Sequence, residues 1–155
     1  MSNIGETFFT SVGCMDGRVQ EVVAEFGRQK FGAEYPDTIT EAGLVGKLAQ
    51  EPVNAGLLDS VRFKIVDVSI GKHHSKGIIV HGHQECLGNP VEDDKHKDDI
   101  RKSVQVIKSL THASVPVVGI FVKRSSQNPS KWEIEEVKIV QPKKSSSAEA
   151  LLKIV

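Results

Sequence analysis

Gly77-Ile78-Ile79-Val80-His81-Gly82-His83-Gln84-Glu85-Cys86 is the stretch that decides the fold. Gly77 to Gly82 is a compact β-branched run with apolar side chains on both faces, the pattern of a central strand in a parallel sheet. His83 to Cys86 then fall just beyond its carboxyl end. Outward toward the amino terminus, Phe8 to Gly13 reads as a second short buried strand, running into Cys14-Met15-Asp16-Gly17-Arg18. Val19, Val22, Val23 and Phe26 recur at helical spacing, with Gly32 as a stop. Asp37 to Thr40 forms a further short strand before the turn-like Glu41-Ala42-Gly43. Leu58, Val61, Ile65 and Val68 make the apolar stripe of another helix, closed by Gly71.

Outward in the other direction, Asn89-Pro90 breaks the chain and the acidic Glu92 to Asp94 precedes a helix with Ile100, Val104 and Ile107 inward. Val115 to Val122 and Trp132 to Val140 are strands joined by the polar loop Ser125 to Ser130, an edge hairpin. Strands alternating with helices define an α/β fold with a mostly parallel central sheet flanked by helices. One α/β zinc domain is expected over residues 1–141. From Pro142 the character changes. Lys143-Lys144-Ser145-Ser146-Ser147 has linker composition, and Ala148 to Val155 could form two helical turns docked on a partner subunit.

The 155 residues suffice for one domain with a real core. Lys plus Arg and Asp plus Glu balance at 20 each, so no global field points to nucleic acid or an anionic membrane. No apolar run approaches the length of a membrane span. Met1 to Gly13 carries neither a basic segment nor a long apolar one, so no export signal is expected. Two cysteines without such a signal favour reduced thiols and a cytoplasmic location.

Those two cysteines carry the chemistry. Ligands in open α/β sheets bind outside the carboxyl ends of the strands, where both motifs fall. Cys14, His83 and Cys86 can supply two sulfurs and one imidazole, a set that suits zinc, with the fourth position left for water or for Asp16. Zinc lowers the pKa of a bound water from ~15.7 toward ~7. Asp16 can aim that oxygen, and Arg18 can clamp Asp16 and keep it ionised. Core thiols or a disulfide would explain two arbitrary cysteines, but not their company of His83, Asp16 and Arg18. His81 is expected to be a hydrogen-bonded core histidine, and His73 with His74 a solvated turn. His96 and His112 carry no signal. The charges from Glu92 to Asp99 read as a helix start rather than a second metal site.

Cys-x-Asp-x-Arg followed by His-x-x-Cys, each after a strand, resembles the β-class carbonic anhydrases. Glu41-Ala42-Gly43 falls where that family carries Asn-Ala-Gly, and the likeness covers roughly residues 7 to 140. The resemblance implies that Cys14, His83 and Cys86 ligate zinc beside an Asp16–Arg18 dyad. It implies reversible hydration of carbon dioxide to bicarbonate by zinc-bound hydroxide, in a pocket at the interface of a homodimer or a higher homo-oligomer. The departures are Gly17 for the usual Ser, Glu41 for Asn, which brings a carboxylate near the pocket, and Leu87 for Gly. A helical segment after His-x-x-Cys is nearly absent, and only Met1 to Gly13 stand where the family has a long helical arm. Two other readings of the same residues are a carbonyl sulfide or carbon disulfide hydrolase, and a non-catalytic zinc-binding assembly protein with Asp16 as fourth ligand.

Overall fold

The computed structural model describes residues 5–139; the expected linker and terminal helical turns, residues 142–155, lie outside them. The chain runs β1 (Phe8–Gly13), α1 (Gln20–Phe31), β2 (Tyr35–Thr40), α2 (Leu44–Leu48), α3 (Ala55–Arg62) with a π-helical continuation (Phe63–Ile70), β3 (Ile78–His83), α4 (Asp93–Leu110), β4 (Val117–Arg124) and β5 (Trp132–Val137). The sheet order is β2-β1-β3-β4-β5. The first four strands are parallel, and β5 pairs antiparallel with β4 as the closing hairpin. This is the expected α/β architecture. No helix among the described residues is long and apolar enough to cross a membrane.

All six residues of β3 are buried, as its unbroken apolar pattern requires. Successive side chains alternate between faces. Val12, Ile78, Val80 and Phe121 face a core built by α2, α3 and α4 through Leu44, Leu48, Val61, Ile65, Ile100 and Val104. Phe9, Ile79, Ile120 and Val122 face the other core, closed by Val19 and Val23 of the α1 region. From β1 the chain steps to β2 on one side; from β2 it crosses back to β3 on the other. The carboxyl ends of β1 and β3 therefore flank a topological switch point, the place where such sheets leave a crevice.

The structure amends several expectations. His83 is the last residue of β3 rather than a residue beyond it. The short helix Leu44–Leu48 follows the Glu41-Ala42-Gly43 turn, and its cap Gly43 has no side chain to announce it. Of the expected stripe Leu58, Val61, Ile65, Val68, only Val61 and Ile65 are fully buried; Leu58 is half-buried, and after Arg62 the helix widens. Hydrogen bonds from Gly71 N–H to the Val66 carbonyl and from His73 N–H to the Val68 carbonyl span five residues. The wider turns bury Ser69 and pack Val66 and Ile70 on the core, leaving Val68 half-buried. Ser69 Oγ donates to Asp37 at 2.7 Å and meets Thr10 Oγ1 at 2.6 Å. His73 is no solvated turn residue: its Nδ1 lies 2.8 Å from Asp37 Oδ2 and its ring stacks on Phe8 at 4.0 Å. His81 is fully buried but not hydrogen-bonded, since neither ring nitrogen has a partner among the described residues. Burial, with the neighbouring His83 adding to it, drives its pKa down to about 3, so it sits in the core as a neutral ring. The acidic run does open α4, with Asp93 and Asp94 in the first turn.

Candidate metal centre

Cys14 follows the last residue of β1, and His83 ends the neighbouring β3. Parallel pairing of the two strands brings these positions to one edge of the sheet. Beyond His83 the chain reverses tightly, with Glu85 in the left-handed region at φ 57°, and returns Cys86 to the same crevice. All three side chains are buried. The Sγ atoms of Cys14 and Cys86 lie 3.7 Å apart. One donor atom from each of Cys14, His83 and Cys86 can be chosen so that all lie within 4.8 Å of one another.

That arrangement fits a tetrahedral metal on two counts. Two metal–sulfur bonds of ~2.3 Å at a tetrahedral angle span about 3.8 Å, which is the sulfur separation found, whereas a disulfide needs ~2.05 Å. Both cysteines are free. The Nδ1 of His83 lies 2.6 Å from the Gln84 carbonyl oxygen, which can only accept, so Nδ1 carries the proton. Its Nε2 is buried with no hydrogen-bond partner among the described residues. A buried lone pair beside two sulfurs suits a metal ligand, and a carbonyl-anchored imidazole is how proteins orient a ligand histidine.

Electrostatics sharpen the set. Burial raises the Cys14 thiol, but the His83 imidazole and the backbone N–H groups of Gly43 and Asp16 outweigh it and bring the pKa down to about 6. The Gly43 N–H donates to the sulfur at 3.4 Å. Burial and the Cys14 charge push Cys86 the other way. Burial also acts to neutralise His83, yet Cys14 and the Gln84 carbonyl raise it above its ordinary value. Cys14 and His83 thus each favour the other's charged form, while Cys86 favours its thiol.

Arg18 binds Asp16 through its side chain and its backbone. Arg18 Nη2 donates to Asp16 Oδ2 at 2.7 Å and Nε to Oδ1 at 3.1 Å, and the Arg18 backbone N–H adds 2.9 Å to Oδ1. Those bonds hold the Asp16 pKa at about 2. Asp16 Oδ2 stands 3.9 Å from His83 Nε2, beside the donor set. Gln20 fixes the loop by donating to the Cys14 and Asp16 carbonyls, both at 2.8 Å. Glu41, by contrast, pairs with Lys47 at 3.2 Å, and its carboxylate does not reach the donors.

Several neighbours were not foreseen. Glu85 Oε1 accepts from Arg18 Nη1 at 3.1 Å and from Arg124 Nη2 at 3.2 Å. Both guanidiniums lie over the Trp132 ring, at 5.2 and 4.1 Å. Trp132 in turn meets His83 edge-on at 6.2 Å. His96, buried with Nε2 unpartnered among the described residues, packs near His83 at 6.4 Å. Glu85 could have been suspected from its place inside His-x-x-Cys; Arg124, Trp132 and His96 gave no local sign. The site opens through a small cavity of about 190 Å³ lined by Cys14, Met15, Asp16, Arg18, Leu87 and Gly88, among others. Its rim is apolar, with Leu87 97% and Met15 60% exposed. A larger cavity, about 550 Å³ between Glu41 and Asn54, contains none of the donors.

Residues 4–138 match a protein family described as "Putative carbonic anhydrase". Among solved structures, the β-carbonic anhydrase CafA of the fungal pathogen Aspergillus fumigatus superposes with a TM-score of 0.57 at 11% identity, covering 95% of this chain and 82% of that one. The carbonic anhydrase of Streptococcus mutans gives 0.52 at 16% identity, covering 83% and 81%. At such identities the likeness is one of fold. No curated protein matches the sequence.

Proposed function

Because this chain belongs to the carbonic anhydrase family, we propose that it is a zinc-dependent lyase that hydrates carbon dioxide reversibly to bicarbonate and a proton. The observation that carries this reading is the meeting of Cys14, His83 and Cys86 beside a clamped, ionised Asp16. Zinc held there would supply a Lewis acid that readies water for attack at neutral pH. Cys14 and Cys86 would hold it through their sulfurs and His83 through Nε2, since Nδ1–H is committed to Gln84. Asp16, ionised at any physiological pH, accepts a hydrogen bond from the attacking water and so turns a lone pair toward the substrate carbon. Arg18 occupies both Asp16 oxygens and keeps the carboxylate from closing on the donors. Met15 and Leu87 give carbon dioxide, a small apolar molecule, an apolar entrance.

The same exposed rim supports a homodimer as the working assembly, to be checked by sedimentation of the native protein and of Leu87→Glu. The reduced sulfur pair suits a cytoplasmic location. Stopped-flow hydration on protein with one zinc per chain tests the activity, with carbonyl sulfide and carbon disulfide assayed in parallel. Turnover of carbon dioxide well above background is expected. No hydration at any pH by fully loaded protein would overturn the assignment, and sulfide release in its place would transfer the site to the sulfur substrates.

A further inference from the structure

Arg18 is 44% exposed. An exposed ion pair of that kind is worth about 0–1 kcal/mol and does not by itself fix a side chain. Yet every requirement placed on Asp16 depends on the Arg18 guanidinium keeping its plane and position. What fixes it lies outside the dyad. Glu85 takes Arg18 Nη1 on one carboxylate oxygen at 3.1 Å, and the Glu85 carbonyl accepts from Nη2 at 3.3 Å. The Glu85 carboxylate is itself gripped at two points by Arg124, Nε to Oε2 at 3.1 Å and Nη2 to Oε1 at 3.2 Å. Arg124 is anchored in the closing hairpin: its backbone N–H donates to Gln84 Oε1 at 2.8 Å, its Nη1 to the Pro129 carbonyl at 3.2 Å, and its guanidinium stacks on Trp132. Glu85 reaches both arginines from a left-handed backbone at φ 57°, a conformation unusual for a residue with a side chain and one that functional sites retain.

We propose that Glu85 and Arg124 are positioning residues that lock Arg18 in its clamp on Asp16, so that the β4–β5 hairpin controls whether the fourth position beside Cys14, His83 and Cys86 stays open to solvent. The proposal rests on the metal-site reading above but concerns side chains outside the donor set. Asp16 stands 3.9 Å from His83 Nε2, close enough that release of Arg18 frees its carboxylate to move onto the donor set. Glu85→Gln removes the charge that holds the two arginines together at nearly constant volume; Arg124→Gln removes the outer anchor without touching Arg18.

Trp132 is the sole tryptophan of the chain, and both guanidiniums lie over it, so its fluorescence reports the lock directly, with or without metal. Three measurements on the full chain test the idea, after circular dichroism shows each variant folded. In metal-free protein, Glu85→Gln and Arg124→Gln should each shift Trp132 emission and acrylamide quenching. In cobalt-loaded protein, both should keep one metal per chain but lose the change in visible spectrum that azide causes when the fourth position is open. In turnover, each should lower kcat by about 10–100-fold with little change in KM, and neither should lower it further in an Asp16→Ala background. Unchanged Trp132 fluorescence with an azide-responsive cobalt spectrum in both variants overturns the lock, and so does a full additional loss in the Asp16→Ala background. If the wild type binds no cobalt, the metal reading fails separately, and the fluorescence of the metal-free variants still decides whether Glu85 and Arg124 hold Arg18.

Discussion

In the proposed mechanism, Asp16 and Arg18 divide one task between a group that must stay charged and a group that must stay still. With its pKa held at about 2 by Arg18, Asp16 gains stability from folding that is fully present above its ordinary value of 3.8 and fades as pH falls toward 2. It therefore cannot set an acid limb near neutrality. Replacing it should leave metal content untouched while removing the orientation of water: Asp16→Ala is expected to retain one zinc per chain and lose roughly 10²-fold or more in kcat. Full activity in that variant would end the mechanism. On the proposed reading, the acid limb is expected from His83 and Cys86, both raised above their ordinary values. Each must lose a proton to bind metal, so affinity should fall as pH drops through their range. Zinc content and activity measured on the same samples from pH 8 to 5 should decline together. Activity that vanishes while zinc stays bound would point to another titrating group.

At the scale of elements, the turn at Gly43 joins the two halves of the site. Gly43 caps α2 at φ 61°, its N–H meets the Cys14 sulfur, and a Cβ there would stand 2.3 Å from the Gly88 backbone, two residues past Cys86. Gly43→Ala is thus expected to lower zinc affinity about 10-fold or more, read by chelator competition, because the Cys86 loop must retreat. Gly32→Ala is the control: it has a similar φ of 60° with nothing within 4 Å, so it should cost only about 1–2 kcal/mol of stability and leave zinc affinity unchanged. Equal losses of affinity in both would refute the coupling. The strands were legible because their signal is local: Phe8 to Gly13 and Gly77 to Gly82 carry their burial in their own β-branched and apolar runs. The wide turns after Arg62 were not, since the polar network of Thr10, Asp37 and Ser69 that accompanies them is long-range. The same divide runs through the site. Cys14, Asp16, Arg18, His83 and Cys86 stand in two short motifs that could be read directly. Arg124 and Trp132 reach it only through the β4–β5 hairpin, a relation that spacing along the chain does not encode.

The molecule as a whole is built so that its sheet does not depend on the ion it would hold. Two apolar layers, one under α2, α3 and α4 and one under α1, close on opposite faces, and none of Cys14, His83 or Cys86 belongs to either. The donors sit at the strand ends, where Cys14 and His83 each lower the cost of the other's charge. Such a protein should survive metal removal, unlike small domains whose folding free energy is metal binding. Zinc would still stabilise by mass action, about 4 kcal/mol at a free concentration a thousandfold above Kd. For a domain of this size each kcal/mol moves Tm by roughly 2–4 °C. Chelation is therefore expected to lower Tm by about 10 °C while leaving the far-ultraviolet circular dichroism at 25 °C unchanged, and added zinc should restore the loss. Cys14→Ser should resemble the chelated protein and respond little to zinc, because one sulfur of the set is gone while Phe9, Val12 and Val80 remain packed. A chelated protein that unfolds at 25 °C would show that the two layers cannot hold the sheet alone and that the metal is part of the core.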